Sequence, residues 1–422
     1  MKPTINIQKK SSHYFNPHLI YPVISVIVFY FLFTSSCKQT DDILCDPTPQ
    51  FNIDLFVQNI NDAMTDPAGP VAGYQLVVNN QGNLYYSGAA GKSVYAADPG
   101  GPVNMTVNTR MNVASVSKFI GTIALMQVME KHGIGINELL YSHLPESWKG
   151  MIHSDHRAVN SPYKITLRNM LRMETALAFE GTNWSPGIMP TTGQMLTALS
   201  KPADPGRWGV YQNGNFTLIR VLIGDLEYNL NPSDPDYNNK TADAYFDYIK
   251  KNIFDKLDLD PPMSVTAVND YYANTIFTHA HQFPFDPAFR DAANNLGWAA
   301  TSDPTINGGS GGLVLSSIDL AKVIAYFKHD NTGEIISSAQ REVILDDNNL
   351  LGLIESASGE HGIYPSKGGT RGPESGTNRA LRSRFMLYPN GVEAVLLCNS
   401  NIPNMGTLLR EAFDDAWVDP CQ

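Results

Sequence analysis

Met111-Asn-Val-Ala-Ser-Val-Ser-Lys-Phe119 leads into Ile120-Gly-Thr-Ile-Ala-Leu-Met126, and the apolar run continues to His132 before Gly133. From Ser117 to His132 the stretch reads as one helix, free of proline and stopped by a glycine that can take a left-handed turn. Apolar residues fall on nearly all of its faces, so the helix is expected inside the protein. Ser115 stands where this rod begins. Lys118 follows three residues on, on the same helix face, where the positive end of the dipole and unpaired backbone amides gather. Burial at the mouth of an apolar helix disfavours a charged amine, which turns Lys118 into a candidate base and Ser115 into a candidate nucleophile. The plainer job for Ser115 is an N-cap.

Around this rod the chain reads as two hairpins separated by a long helical stretch. Phe51 to Met64 has apolar residues at 53, 56, 57, 60 and 64, the spacing of an amphipathic helix. Gly73 to Val78 and Asn83 to Ser87 flank Asn79-Asn-Gln-Gly82, a hairpin signal. Residues from about 135 to 295 are helical and loop-rich, with many Pro, Asn and Asp. Ser316 to Phe327 reads as a helix, with Ser316 and Asp319 forming a capping box. Ser383 to Tyr388 and Val392 to Cys398 flank Pro389-Asn-Gly391, a second hairpin turn, and Met405 to Trp417 reads as a closing helix. Hairpin, helical insertion, hairpin and helix predict an α+β fold: an antiparallel β-sheet flanked by helices, with a mostly helical subdomain inserted between early and late strands.

Two further stretches carry chemistry. Tyr211-Gln-Asn213 offers a phenol that can relay a proton, and Lys367-Gly-Gly369-Thr370 offers a cation beside a glycine-lined strand edge, where a ligand backbone can lie close. With Ser115-Val-Ser-Lys118 these stretches resemble the motifs of β-lactamase-related serine hydrolases, the family of class C β-lactamases, D-alanyl-D-alanine carboxypeptidases and related esterases. The likeness runs from about Gly73 to Trp417. It extends to Ile165-Thr-Leu-Arg-Asn-Met-Leu-Arg-Met173, Ile253-Phe-Asp-Lys-Leu257 and Gly311-Gly-Leu-Val-Leu-Ser-Ser-Ile-Asp-Leu320. Asp204-Pro-Gly-Arg-Trp-Gly-Val-Tyr211 resembles the family's loop before its tyrosine, which selects Tyr211 over Tyr14, Tyr237, Tyr272 and Tyr388, each also followed two residues later by Asn. The resemblance implies a β-lactamase/transpeptidase-like fold and an acyl-enzyme on Ser115, with Lys118 as base and Tyr211 exchanging a proton with Ser115 or the leaving group. It implies that Asn213 binds Lys118 or a substrate amide, and that the backbone amides of Ser115 and Thr370 form an oxyanion hole. Lys367 is expected to repel a proton from Lys118 and to attract a substrate carboxylate. No metal or organic cofactor is required, and the partner is a small-molecule or peptide substrate with an ester, amide or lactam carbonyl. One departure is Glu174-Thr-Ala-Leu177, where Ala176 replaces the family's usual glycine. The alternative function is a catalytically impaired binding or regulatory lipoprotein on the same scaffold.

Rival signals are weaker. Ser161-Pro-Tyr-Lys164 repeats the serine–lysine spacing but precedes a proline in a polar loop. Gly308-Gly-Ser-Gly-Gly312 matches a nucleophile elbow, yet strand-like Leu313-Val-Leu315 follows it where a helix is needed. His361 rivals Lys367. His279-Ala-His281 and His153-Ser-Asp-His156 match no strong zinc spacing and read as solvated or structural.

Of 422 residues, 1–36 read as an export signal: Lys2, Lys9 and Lys10, then an apolar run from Leu19 to Phe33, then Thr34-Ser35-Ser36 before Cys37. The run is short of the roughly 20 residues of a bilayer span. Cys37 is the expected lipidation site, with residues 37–50 a tether and 51–422 the hydrolase domain. Lys38-Gln-Thr-Asp-Asp42 resembles the charged tether of Bacteroidetes lipoproteins, which implies the periplasm or the cell-surface face of the outer membrane, with the membrane as partner through the lipid anchor. Loss of the signal moves the formal net charge from −11 to −14, since it holds three lysines and no acids. Such a surface repels phosphate backbones, so no nucleic-acid partner is expected. Cys398 ends an apolar strand and reads as a buried thiol. Cys45 and Cys421 lie at the two ends of the mature domain, and an exported chain can hold a disulfide between them.

Overall fold

The computed structural model describes residues 48–178, 189–274, 276–285, 296–346, 349–373 and 377–421. The chain divides into Met1–Asp46 and Pro47–Gln422, and only the second unit falls within the described residues. The expected export signal, Cys37 and Cys45 lie outside them. No described helix is long and apolar enough to cross a membrane.

A six-stranded antiparallel sheet forms the centre. Its strands are β1 (Gly73–Asn80), β2 (Asn83–Val94), β3 (Val103–Asn104), β4 (Ser366–Arg371), β5 (Leu381–Leu387) and β6 (Val392–Cys398), in the spatial order β3-β2-β1-β6-β5-β4. The principal helices are α1 (Ile53–Thr65), α2 (Ser117–His132), α3 (Asn213–Leu226), α4 (Tyr237–Ile249), α5 (Ser317–His329) and α6 (Met405–Asp414). Both expected hairpins form, as β1–β2 and β5–β6, and β1 joins β6 with Tyr74 opposite Cys398. Alternation along the strands explains the layering. Leu76, Val78, Leu396 and Cys398 face α1 and α6, while Val77, Val395, Leu397 and Phe385 face the helical side.

On that side α2 is the central rod. Phe119 meets Phe327 of α5 and Phe385 of β5, each at 4.8 Å between ring centroids. Gly133 ends the helix in the left-handed conformation at φ 66°. The capping box of α5 forms as expected, Ser316 accepting from the Asp319 amide and Asp319 from the Ser316 amide. The closing helix stops short of its expected end: α6 finishes at Asp414, and Trp417–Val418 turn into a short strand against Gln50–Phe51. An aromatic cluster fixes that turn, with Phe51 4.7 Å from Phe413 and 5.5 Å from Trp417. Cys398 is fully buried, and burial pushes its thiol up to about 12. Cys421 is disulfide-bonded.

Candidate active site

Ser115 is delivered by a tight turn between a two-stranded ribbon and α2. Met111–Asn112 pairs with Val314–Leu315, then a 3₁₀ turn spans Ala114–Val116, and the α-helix proper begins at Ser117. Ala114 sits at φ 47°, a left-handed conformation that costs an alanine roughly 1–2 kcal/mol. Surrounding bonds hold it there: the Ala114 amide donates to Asn112 Oδ1 at 2.8 Å, and the Ser383 hydroxyl donates to the Val113 carbonyl at 2.7 Å. Ser115 is therefore no N-cap, and its hydroxyl is turned to other side chains.

Two side chains converge on it. Lys118 Nζ lies 3.0 Å from Ser115 Oγ, and the Tyr211 hydroxyl donates to the same oxygen at 2.7 Å. Tyr211 comes from the loop before α3, and Asn213 is the first residue of that helix. Lys118 is fully buried; its Nζ also contacts Asn213 Oδ1 at 2.7 Å and the carbonyl of Ser310. Burial, reinforced by the nearby Lys367 and opposed by Glu355, holds the Lys118 amine well below the ordinary lysine range. Burial moves Tyr211 the other way: its phenol is raised well above the usual range, the hydrogen bond to Ser115 opposing and Glu355 adding to the rise.

The opposite wall is β4. Gly369 passes so close to the Ser115 turn that a Cβ there would stand 2.4 Å from the Val113 carbonyl oxygen and 2.9 Å from the Ser115 nitrogen. Ser115, Tyr211, Asn213, Gly369 and Thr370 all line one cavity of about 590 Å³. Thr370 Oγ1 accepts from Arg382 at 2.6 Å. Lys367 departs from expectation. It was expected to meet a substrate carboxylate, but it is fully buried, absent from the cavity wall, and paired with Glu355 and the Gly368 carbonyl. Its influence reaches the site indirectly, with Nζ 5.6 Å from the Tyr211 ring centroid. Burial lowers its own pKa, against the pull of Glu355.

Several groups escaped the sequence reading. Glu355 lines the cavity and accepts from Lys367, from the Gly368 amide at 3.1 Å and from Arg384 at 3.3 Å. No motif surrounds it, and only its position 12 residues before Lys367 hints at pairing. Ser310 contributes a backbone oxygen, which leaves no mark in a sequence. The Gly308–Gly312 segment is thus a wall of the site rather than an elbow. The Ser310 hydroxyl is buried and donates to the Asn307 carbonyl at 3.1 Å, while Gly309, at φ 86°, lets the chain pass the Phe216 carbonyl.

The remaining candidates lie elsewhere. Lys164 donates to the Val159 carbonyl at 2.7 Å, away from Ser161. His361 stacks on Trp417 at 4.1 Å. Thr175 and Ala176 pack behind the Tyr211 loop, Thr175 donating to Asn215 at 2.7 Å and Ala176 accepting from the Asp204 amide at 2.9 Å. The altered 174–177 segment therefore supports the cavity without lining it. His279 and His281 are not solvated: both are buried beside Asp98, at 3.8 and 3.6 Å, and burial lowers their pKa values. His156 is likewise buried, against the Lys201 carbonyl at 3.1 Å. Among the described residues no group of three or more His, Cys, Asp or Glu side chains could hold a metal ion.

Comparison with known proteins adds a family and a fold. The profile of the Beta-lactamase family matches residues 56–360. Similar solved structures include the octameric penicillin-binding protein homologue from Pyrococcus abyssi, with TM-score 0.56 and 16% identity over 85% of this chain and 76% of that one. A beta-lactamase/D-alanine carboxypeptidase from Yersinia pestis gives TM-score 0.56 and 14% identity over 86% and 99% of the two chains. A class C beta lactamase from Rhodobacter sphaeroides gives 0.55 and 14% over 85% and 97%. At these identities the likeness concerns the fold. No curated protein matches the chain.

Proposed function

The chain belongs to the Beta-lactamase family, and on that premise we propose that it is a serine hydrolase forming an acyl-enzyme on an ester, amide or lactam carbonyl. The observation that carries this reading is the convergence of Lys118 Nζ and Tyr211 Oη on Ser115 Oγ, at 3.0 and 2.7 Å, on the wall of an open cavity. The hydrogen-bond partners of a neutral Lys118 amine support this reading. A neutral amine has two N–H donors and one lone pair. Asn213 Oδ1 and the Ser310 carbonyl are acceptors and take the two N–H groups. The lone pair is left for the Ser115 proton, while Ser115 Oγ accepts from Tyr211.

The opposed shifts divide the labour. Lys118, held down, removes the Ser115 proton as Oγ bonds to the carbonyl carbon. The amides of Ser115 and Thr370 receive the oxyanion. Tyr211, held up, stays a phenol and passes a proton to the leaving group as its bond to carbon breaks, and Lys118 restores that proton. Water then repeats the cycle and releases the acyl group. The basic, apolar and small-residue pattern of residues 1–37 supports export and lipid anchoring at Cys37.

Acid quenching during turnover of a slow p-nitrophenyl ester tests the proposal. Intact mass should rise by one acyl group, mapped to the peptide containing Ser115. An adduct on another residue, or hydrolysis with no adduct under single-turnover conditions, would overturn it. A second outcome follows from the approach of β4. Gly369→Ala should cut kcat/KM about 100-fold, the scale of an ångström-size misplacement, because its methyl group must push against the Ser115 amide. Circular dichroism should remain that of the wild type.

A further inference from the structure

The cation that the Lys-Gly-Gly strand was expected to present never reaches the cavity. Lys367 lies fully buried behind the wall, and its partner Glu355 is the member of the pair that lines the opening, with about a third of its side chain (34%) exposed. The carboxylate is built in rather than loosely placed. Lys367 holds Oε1, while the Gly368 amide holds Oε2 at 3.1 Å together with Arg384 at 3.3 Å. Arg384 is anchored in turn on the Glu355 carbonyl at 2.7 Å and the Ser366 hydroxyl at 2.9 Å. Lys367 and Arg384 offset the charge of Glu355 from behind the wall. What a ligand can touch, however, is the carboxylate, and an ionised carboxylate only accepts hydrogen bonds.

Among the described residues, the other charged side chains along the cavity are Asp303 and Arg371. Arg371 is turned to the protein: Nε donates to the Thr301 carbonyl at 2.9 Å, and the guanidinium lies 5.3 Å from the Trp298 ring centroid. Among the described residues, the wall beside Ser115 is therefore acceptor-rich and carries two carboxylates against one guanidinium.

Resting on the hydrolase reading above, we infer that Glu355 is a specificity-determining residue that selects acyl donors bearing an ammonium or other N–H donor near the Gly368–Gly369 edge and rejects those bearing a carboxylate there. A donor gains a charge-assisted hydrogen bond. A carboxylate meets an acceptor of its own sign, with the compensating lysine out of reach.

The test varies one group at a time on each side of the scissile bond. On the acyl side, the p-nitroanilides of 3-aminopropionate, butyrate and succinate carry an ammonium, a methyl and a carboxylate. On the leaving side, N-acetyl-D-alanine amides of ethylenediamine, propylamine and 3-aminopropionate do the same, with release followed by mass spectrometry. In at least one series kcat/KM should favour the ammonium member over the carboxylate member by about tenfold or more. Glu355→Gln should bring that ratio to within about twofold, while Glu355→Asp should keep its direction. Loss of Glu355 leaves Lys367 buried without its partner, so the glutamine variant can fail to fold. The wild-type ranking then decides alone. Turnover with a flat ranking in both series, or with the carboxylate member preferred, overturns the inference and leaves the hydrolase standing. No turnover of any of the six compounds, together with no acyl adduct on Ser115, overturns the hydrolase reading and this inference with it.

Discussion

Ser115→Ala is expected to lower kcat by about 10⁵-fold or more, the scale seen when a covalent nucleophile is removed from an interdependent set, with unfolding free energy changed by less than about 1 kcal/mol. The small structural cost follows from its surroundings. Ser115 lines the cavity, so water can take the place of Oγ between Lys118 and Tyr211. It caps no helix, because α2 begins two residues later and the turn is held by Asn112 and Ser383. Initial rates on a p-nitrophenyl ester, measured beside urea denaturation, separate the two quantities. Residual activity within about tenfold of wild type, with protein purity established, would remove Ser115 from the chemistry.

Lys118→Met should cost about 10²- to 10⁴-fold in kcat, the range for a positioned general base, and change stability far less. Methionine fills most of the buried volume. It leaves the Asn213 and Ser310 oxygens short of one donor each, at about 1–3 kcal/mol for an unsatisfied group, and removes the cost of burying an amine. The pH dependence distinguishes this account from simple damage. In the folded protein Lys118 is held well below the ordinary 10.5, so the unfolded chain binds the extra proton between the two values. Stability should therefore rise with pH across that window, and fall as pH drops toward the folded pKa. Activity should rise lower on the pH scale, as pH passes the folded pKa and the amine loses its proton, and level off across that window. Lys118→Met should lose the Lys118 part of both dependences. A variant that keeps the ascending limb of kcat/KM would assign the limb to another group.

What the sequence made legible was local. The three-residue offset of Ser115 and Lys118 is about one helical turn, and the 3₁₀ turn leading into α2 preserves it, so their contact could be expected. The Asn-Gly turn at 390–391, the capping box at Ser316 and the burial of Val392–Cys398 are likewise written in neighbouring residues. Lys367 shows the limit. Its strand and its glycines were recognisable, but the side of the wall its amine occupies depends on Glu355, which reaches it through the ribbon of Ala357–Gly359 and Gly362–Tyr364 and a turn without a motif. The Ser310 oxygen belongs to every residue type alike, so no pattern could announce it. Trp417 misled because its helical spacing with Phe413 is real, while the competing partner, Phe51, lies at the other end of the domain.

The placement of β1 against β6 bears on the order in which the molecule can be assembled. Tyr74 waits for Cys398, so the middle of the sheet cannot close until more than three hundred intervening residues have been made. Contacts of such separation form late and slowly. Until then α2 has no floor, and a nascent or truncated chain carries every motif of the site with nothing to bring Gly369 up to Ser115. The cavity wall is thus completed only with the last hairpin.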